Sequence, residues 1–226
     1  MKVVVGALLA GLVAVPSFAF SDVQDVTARL NAATEVLTAM ADAADSGIPL
    51  DLLEKASCVI VVPGIKAGGF IVGAQYGRGF FSCRKPSGGW SAPGGVSIKG
   101  GKFGFLIGAK ETDAVMLVMN EGGMRHLLSS NFQIGGEASG AAGPIGRTSK
   151  AMTDAQMHAE ILSWSRSRGV FGGLDITGAA FTEDDDANRA LYGRDISNKT
   201  IVSENVPVPA AARQFVHTLD RITSRH

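Results

Sequence analysis

Between residues 55 and 110 the chain carries eight basic residues, Lys55, Lys66, Arg78, Arg84, Lys85, Lys99, Lys102 and Lys110, and no Asp or Glu. Basic groups undiluted by acids can neutralise phosphate: lysine as a point charge, arginine through a planar fork of donors. Lys66, Arg78, Arg84, Lys85, Lys99, Lys102 and Lys110 are therefore candidate contacts for anionic head groups, each worth about 1 kcal/mol near an anionic surface. The competing reading has the same residues as outward-facing charges, scattered over a sheet and paired with acids from other elements. Charge adjacent in sequence is not yet charge adjacent in space.

A second candidate is Gly143-Pro-Ile-Gly-Arg147. Its glycines would let N–H groups converge on an anion, and Arg147 would add a bidentate grip. The alternative is a tight turn whose glycines serve the backbone, with Arg147 in a buried pair; Arg166 and Arg168 carry the same ambiguity. No constellation for catalysis competes with these. The four histidines, His126, His158, His217 and His226, fall in no metal-ligand spacing, and His158 with Glu160 lacks the second His of a zinc helix. No G-x-S-x-G elbow occurs, and the acids 183–186 lack the loop alternation that calcium requires. The sequence thus predicts no enzyme, no cofactor and no metal.

The elements that would carry these residues are mixed. The segment 64–108 holds 14 of the 29 glycines, interleaved with Phe, Ile, Val, Tyr and Trp. Glycine inside a strand marks a bulge, a sharp bend or a close approach. Strands are predicted over 58–62, 70–84, 96–99, 103–110, 114–119, 132–142, 161–166 and 170–181. In 70–84, Phe70, Val72, Ala74, Tyr76, Arg78 and Phe80 share one face, and Gly73, Gly77 and Gly79 the other. A helix is predicted over 21–45, with Ser21 as N-cap and an apolar stripe of Val23, Val26, Leu30, Ala33, Leu37, Met40 and Ala44. A short helix follows over 50–56 behind Pro49. Another is expected over 182–191, capped by Thr182 and Asp185, then extended chain over 201–207. A last helix begins at Pro209 with a stripe of Ala212, Phe215, Val216, Leu219 and Ile222. The stretches 121–130 and 153–160 read as helical turns and as an ambiguous segment.

At 226 residues with 46% hydrophobic content the chain can bury a core of its own. Residues 1–19 resemble a secretory signal: Lys2, an apolar run of 13 residues over 3–15, Pro16, and Ser17-Phe18-Ala19 before a cleavage point. The run falls short of the ~20 residues of a spanning helix. Residues 20–226 are then one domain, exported to the periplasm or secreted, with 20 basic and 21 acidic residues. Near-neutral charge together with export excludes nucleic acid as the expected partner. Cys58 and Cys83 are the two cysteines. In an oxidising compartment they are expected to form a disulfide; the alternative is two buried thiols acting as small core hydrophobes.

Seven segments in order resemble a known family. They are Cys58-Val-Ile-Val-Val-Pro-Gly, Gly69-Phe-Ile-Val-Gly-Ala-Gln-Tyr-Gly-Arg-Gly, Trp90-Ser-Ala-Pro, Gly104-Phe-Leu-Ile-Gly, Ala141-Ala-Gly-Pro-Ile-Gly-Arg, Ser165-Arg-Ser-Arg-Gly-Val-Phe-Gly-Gly and Leu191-Tyr-Gly. Together they closely resemble the SYLF domain, also called the Ysc84 domain, in a bacterial exported form. The resemblance implies a lipid-binding module. Eukaryotic members bind phosphoinositides, and some fungal members bind and bundle actin. For an exported protein only affinity for anionic lipid or a membrane surface carries over, and no actin contact is expected.

The expected architecture is α+β: a curved antiparallel glycine-rich sheet, open or closed as a barrel, flanked by N- and C-terminal helices. The expected function is non-enzymatic binding of anionic phospholipid head groups, with Phe70, Tyr76, Phe80 and Trp90 near the acyl chains or the interface. The alternative is a structural or protein-interaction domain of the cell envelope.

Overall fold

The computed structural model describes residues 18–43, 47–69, 73–100, 108–145, 152–167 and 170–224. Helices α1 (Phe18–Asp42) and α2 (Leu50–Lys55) come first, followed by β1 (Cys58–Gly69), β2 (Gly73–Cys83), β3 (Gly94–Gly100) and β4 (Gly108–Val118). Then come α3 (Glu121–Leu127), β5 (Asn131–Gln133), β6 (Gly140–Ala142), α4 (Asp154–His158), β7 (Ile161–Ser167), β8 (Val170–Gly173) and β9 (Ala179–Glu183). The chain closes with α5 (Asp185–Tyr192), α6 (Asn198–Ser203), a 3-10 turn (Ala210–Ala212) and α7 (Arg213–Thr223).

The strands form one sheet in the order β5-β9-β3-β2-β1-β4-β7-β6, with β8 added to β7. It is strongly curled, a half-barrel. The connectivity demands the curl. Laid flat, the outer strands of this eight-strand path would stand about 34 Å apart. Yet β5 and β6 are joined by residues 134–139 alone, which reach at most about 25 Å when extended. The pairing is antiparallel except between β6 and β7, which run parallel. That exception follows from the connection through α4, which returns the chain to the end of the sheet where β6 began.

Both faces of the sheet are covered, so there are two cores. On the helical face, Val59, Val61, Phe80, Val115 and Leu117 pack with Leu30, Leu37, Met40, Phe215 and Leu219. On the inner face, Ile60, Val62, Phe81, Ile98, Met116 and Phe181 form the second core. Burial on both sides explains why residues 114–118 are apolar without alternation. Cys58 and Cys83 lie directly opposite one another on β1 and β2, in the inner core, and are joined as a disulfide.

The helical expectations hold in outline and fail in detail. The stripe of α1 is buried at Val26, Leu30, Ala33, Leu37 and Met40, but Val23 is 45% exposed. The helix is described from Phe18, so Ser21 lies inside it and is not its cap. The α7 stripe of Ala212, Phe215, Val216, Leu219 and Ile222 is buried throughout. Residues 198–203, expected in part as extended chain, form α6, because Ser197 caps it by accepting from Thr200 N–H. The predicted strand 170–181 divides into β8 and β9, and 132–142 into β5 and β6 around a turn at 134–138. The expected strand over 103–110 falls largely outside the described residues, β4 being described from Gly108.

The strand glycines mark a close approach. Between Val61 and Lys66 the β1–β2 register shifts, opposite Gly77 and Gly79. A Cβ on Gly79 would stand 2.1 Å from the Val61 carbonyl oxygen, and one on Gly77 2.7 Å from Val62 Cγ1. The bulge re-aims β1 so that Lys66, beyond it, continues on the helical face of the sheet.

Candidate functional site

The register places two of the candidate lysines in one line. Lys66 on β1 pairs with Tyr76 on β2, which pairs with Lys99 on β3, which pairs with Ala180 on β9. Directly paired residues project to the same face, so Lys66, Tyr76 and Lys99 form a row on the helical side. Lys66 and Lys99 are exposed and Tyr76 is 45% exposed. Two strand spacings separate the lysines, about 10 Å. Glu111 of β4 continues the row beyond Lys66.

The next row inward is Arg78, Ser97, Thr182 and Asn131. Ser97 and Thr182 hydroxyls are hydrogen-bonded at 2.8 Å. Arg78 is not free to meet a ligand as a bare charge. Its Nε donates to Asp184 Oδ2 at 2.6 Å and its Nη2 to Asp184 Oδ1. That hydrogen-bonded carboxylate pushes the Arg78 guanidinium above its ordinary range. Tyr76, Arg78, Ser97 and Lys99 line a shallow cleft of about 290 Å³ whose opposite wall is the acidic run 183–186.

Asp184 and Arg29 are the residues sequence reasoning missed. Asp184, not Thr182, caps α5 by accepting from Ala187 N–H, while Thr182 is committed to β9. Its side chain is 4% exposed, and Arg29 of α1 stands 3.7 Å from Oδ2. Burial, and next the Arg78 guanidinium, push Arg29 below its ordinary range. The acid run was visible as a helix start; its pairing with Arg78 spans 106 residues and leaves no local signal.

The remaining candidates do not join this row. Arg84 and Lys85 lie past the other end of β2, about 25–30 Å along the strand from Tyr76 by strand rise. Arg84 donates to the carbonyls of Ala56 and Leu53, closing the end of α2, and its guanidinium lies over the Trp90 ring at 4.6 Å. Lys85 sits in a turn, its backbone bonded to Gly88 and Gly89. Lys110 is on β4 opposite Ala67, its side chain outside the described residues, as are Lys102, Arg147 and Arg168. Gly143 cannot join an anion nest, since its N–H donates to Ser163 O. It is glycine because a Cβ there would stand 2.1 Å from the Trp164 ring, whose Nε1 donates to Pro144 O. Arg166 is paired with Asp113 at 2.9 Å. Phe80 and Trp90, expected at an interface, are core residues at 0% and 2% exposure; Phe70 lies outside the described residues.

Residues 99–222 match the family model described as "Ysc84: Las17-binding protein actin regulator". Protein YSC84 of Saccharomyces cerevisiae is 32% identical over 180 residues, which cover 78% of this chain and 38% of that protein. SH3 domain-containing YSC84-like protein 1 of Rattus norvegicus is 30% identical over 213 residues, covering 94% of this chain and 62% of its own. The protein of the same name in Xenopus laevis is 33% identical over 184 residues, covering 80% and 55%. The chain therefore spans 38–62% of the length of these curated relatives.

Proposed function

This chain belongs to the Ysc84 (SYLF) family, and from that premise we propose that it binds anionic phospholipid head groups on the exposed row Lys66, Tyr76 and Lys99. The observation that carries the reading is the cross-strand register that aligns the two lysines across Tyr76. Two ammonium groups about 10 Å apart meet separate phosphates of a lipid surface. The phenol between them suits the boundary where head groups give way to acyl chains. No chemistry on the lipid is required: the module is a non-enzymatic binder, and we place it in the periplasm or outside the cell on the signal-like residues 1–19.

The test is co-sedimentation with vesicles of phosphatidylcholine containing increasing phosphatidylglycerol. Wild-type binding should rise with anionic content and fall with salt. Lys66→Ala with Lys99→Ala should weaken it about 30-fold, two basic contacts at about 1 kcal/mol each. Equal binding to neutral vesicles, or a folded double variant that binds like wild type, would overturn the reading.

A second reading follows from the family description, which names Las17 binding and actin regulation. It leans against the expectation that actin plays no part. On this reading the same exposed row docks a protein partner. Sedimentation with actin filaments but not with vesicles would favour it.

A further inference from the structure

A second cleft, of about 520 Å³, opens between the N-terminal part of α1 and α5. Its volume is that of a small-molecule site. Behind Arg29 and Arg78, which line it, one carboxylate serves both guanidinium groups: both Asp184 oxygens accept from Arg78, and Oδ1 accepts from Ala187 N–H as well. Arg29 is left at 3.7 Å from Oδ2, beyond hydrogen-bond reach, and its Nη1 is buried without a hydrogen-bond partner among the described residues. A buried donor left unpaired is rare in a folded protein and calls for an acceptor.

The rim carries more acid than base. Asp25 and Asp22 lie one and two turns before Arg29 on the same side of α1, and Asp186 faces them from α5, paired with Arg189, which also lines the cleft. Val23, Val26 and Ala190 supply an apolar wall, which accounts for the exposure of Val23 on an otherwise buried stripe. A bare anion entering here would pass the carboxylates of Asp22 and Asp25, and a bare cation would end against the guanidinium groups of Arg29 and Arg78. A molecule carrying both charges satisfies both ends.

We infer that this cleft binds a small zwitterion, its acidic phosphate or carboxylate group on Arg29 and its ammonium between Asp22 and Asp25, with a short apolar portion against Val23 and Val26. Such a group occurs free or as the head of an aminophospholipid. The site is independent of the Lys66, Tyr76 and Lys99 row.

Titration calorimetry of the full chain with phosphoethanolamine, and with dihexanoylphosphatidylethanolamine below its micelle concentration, separates the two sources. Inorganic phosphate and dihexanoylphosphatidylglycerol are the single-charge controls. Wild type should bind at least one zwitterion more tightly than either control. Arg29→Met should weaken that binding at least about tenfold, the loss of a charge-assisted contact. Its urea midpoint should fall by less than that of Asp184→Ala, because Arg29 keeps only the 3.7 Å ion pair with Asp184 and no hydrogen bond to it. Asp22→Asn with Asp25→Asn, both on the exposed helix surface, should abolish the preference for zwitterion over phosphatidylglycerol. The inference is overturned if wild type binds neither zwitterion at millimolar concentration, if phosphate alone binds as tightly, or if Arg29→Met binds unchanged. Arg29→Met should still sediment with anionic vesicles, and Lys66→Ala with Lys99→Ala should still bind the zwitterion, so the two sites fail separately.

Discussion

Asp184 holds three parts of the molecule at one carboxylate: β2 through Arg78, α1 through Arg29, and the start of α5 through Ala187 N–H. Asp184→Ala should lower stability by about 3 kcal/mol in urea unfolding, since it leaves two partly buried guanidinium groups uncompensated and a helix uncapped. Asp184→Asn keeps a competent cap and should recover about 1 kcal/mol of that loss. Two variants within experimental error of wild type would show that the cluster contributes nothing. Glu183 gives a prediction in pH. Burial raises its carboxyl above the ordinary value, against bonds from Asn198 N–H and Asn188 Nδ2. The folded state then holds the proton longer than the unfolded chain, so this group's contribution to stability falls as pH rises from the unfolded value of 4.5 through the raised folded one. Glu183→Gln should flatten that slope and be neutral or stabilising at pH 7, as followed by thermal melts across the acid range. At this scale the sequence displayed the cations faithfully and their partners poorly. Arg78 looked free because Asp184 is remote in the chain, while Lys66 and Lys99 could be aligned only once the bulge at 62–65 was known.

Among the elements, those with a strong period were legible and those decided by a single cap or packing contact were not. The stripes of α1 and α7 follow from residue spacing alone. α6 does not, because its six residues carry no period and depend on Ser197. The glycines of β2 could be read as a close approach, yet not as to what; it is the Val61 carbonyl across the bulge. Gly79→Ala should therefore cost about 3 kcal/mol or more, since a backbone atom cannot rotate away. Gly172→Ala is the control: apart from its chain neighbours, no atom of the described residues lies within 4 Å of its Cβ position, so stability should be unchanged or higher by about 0.4–1 kcal/mol. Equal losses at both positions in urea unfolding would refute the packing account. The glycine at 143 shows the same limit from the functional side. Its motif suited an anion nest in sequence, and only the Trp164 ring reveals its structural use.

As a whole, the molecule is a curled sheet buried on both faces, with Lys66, Tyr76 and Lys99 exposed toward the ends of β1, β2 and β3. Helices α1 and α7 cover the helical face up to Phe80 and leave the row of Tyr76 outside. The curved α+β architecture was legible from glycine interleaved with β-formers, whereas the parallel β6–β7 pair was not, because it depends on where the chain returns after α4. The row Lys66, Tyr76 and Lys99 is the face proposed to meet lipid. The protein offers a clean probe of it. Its two tryptophans, Trp90 and Trp164, are 2% and 1% exposed, so an indole placed at position 76 would be the accessible one among the described residues. Tyr76→Trp should bind anionic vesicles as wild type does, and its fluorescence should be quenched by brominated acyl chains well beyond the wild-type signal. Sedimentation with those vesicles without added quenching, or no sedimentation at all, would contradict the account.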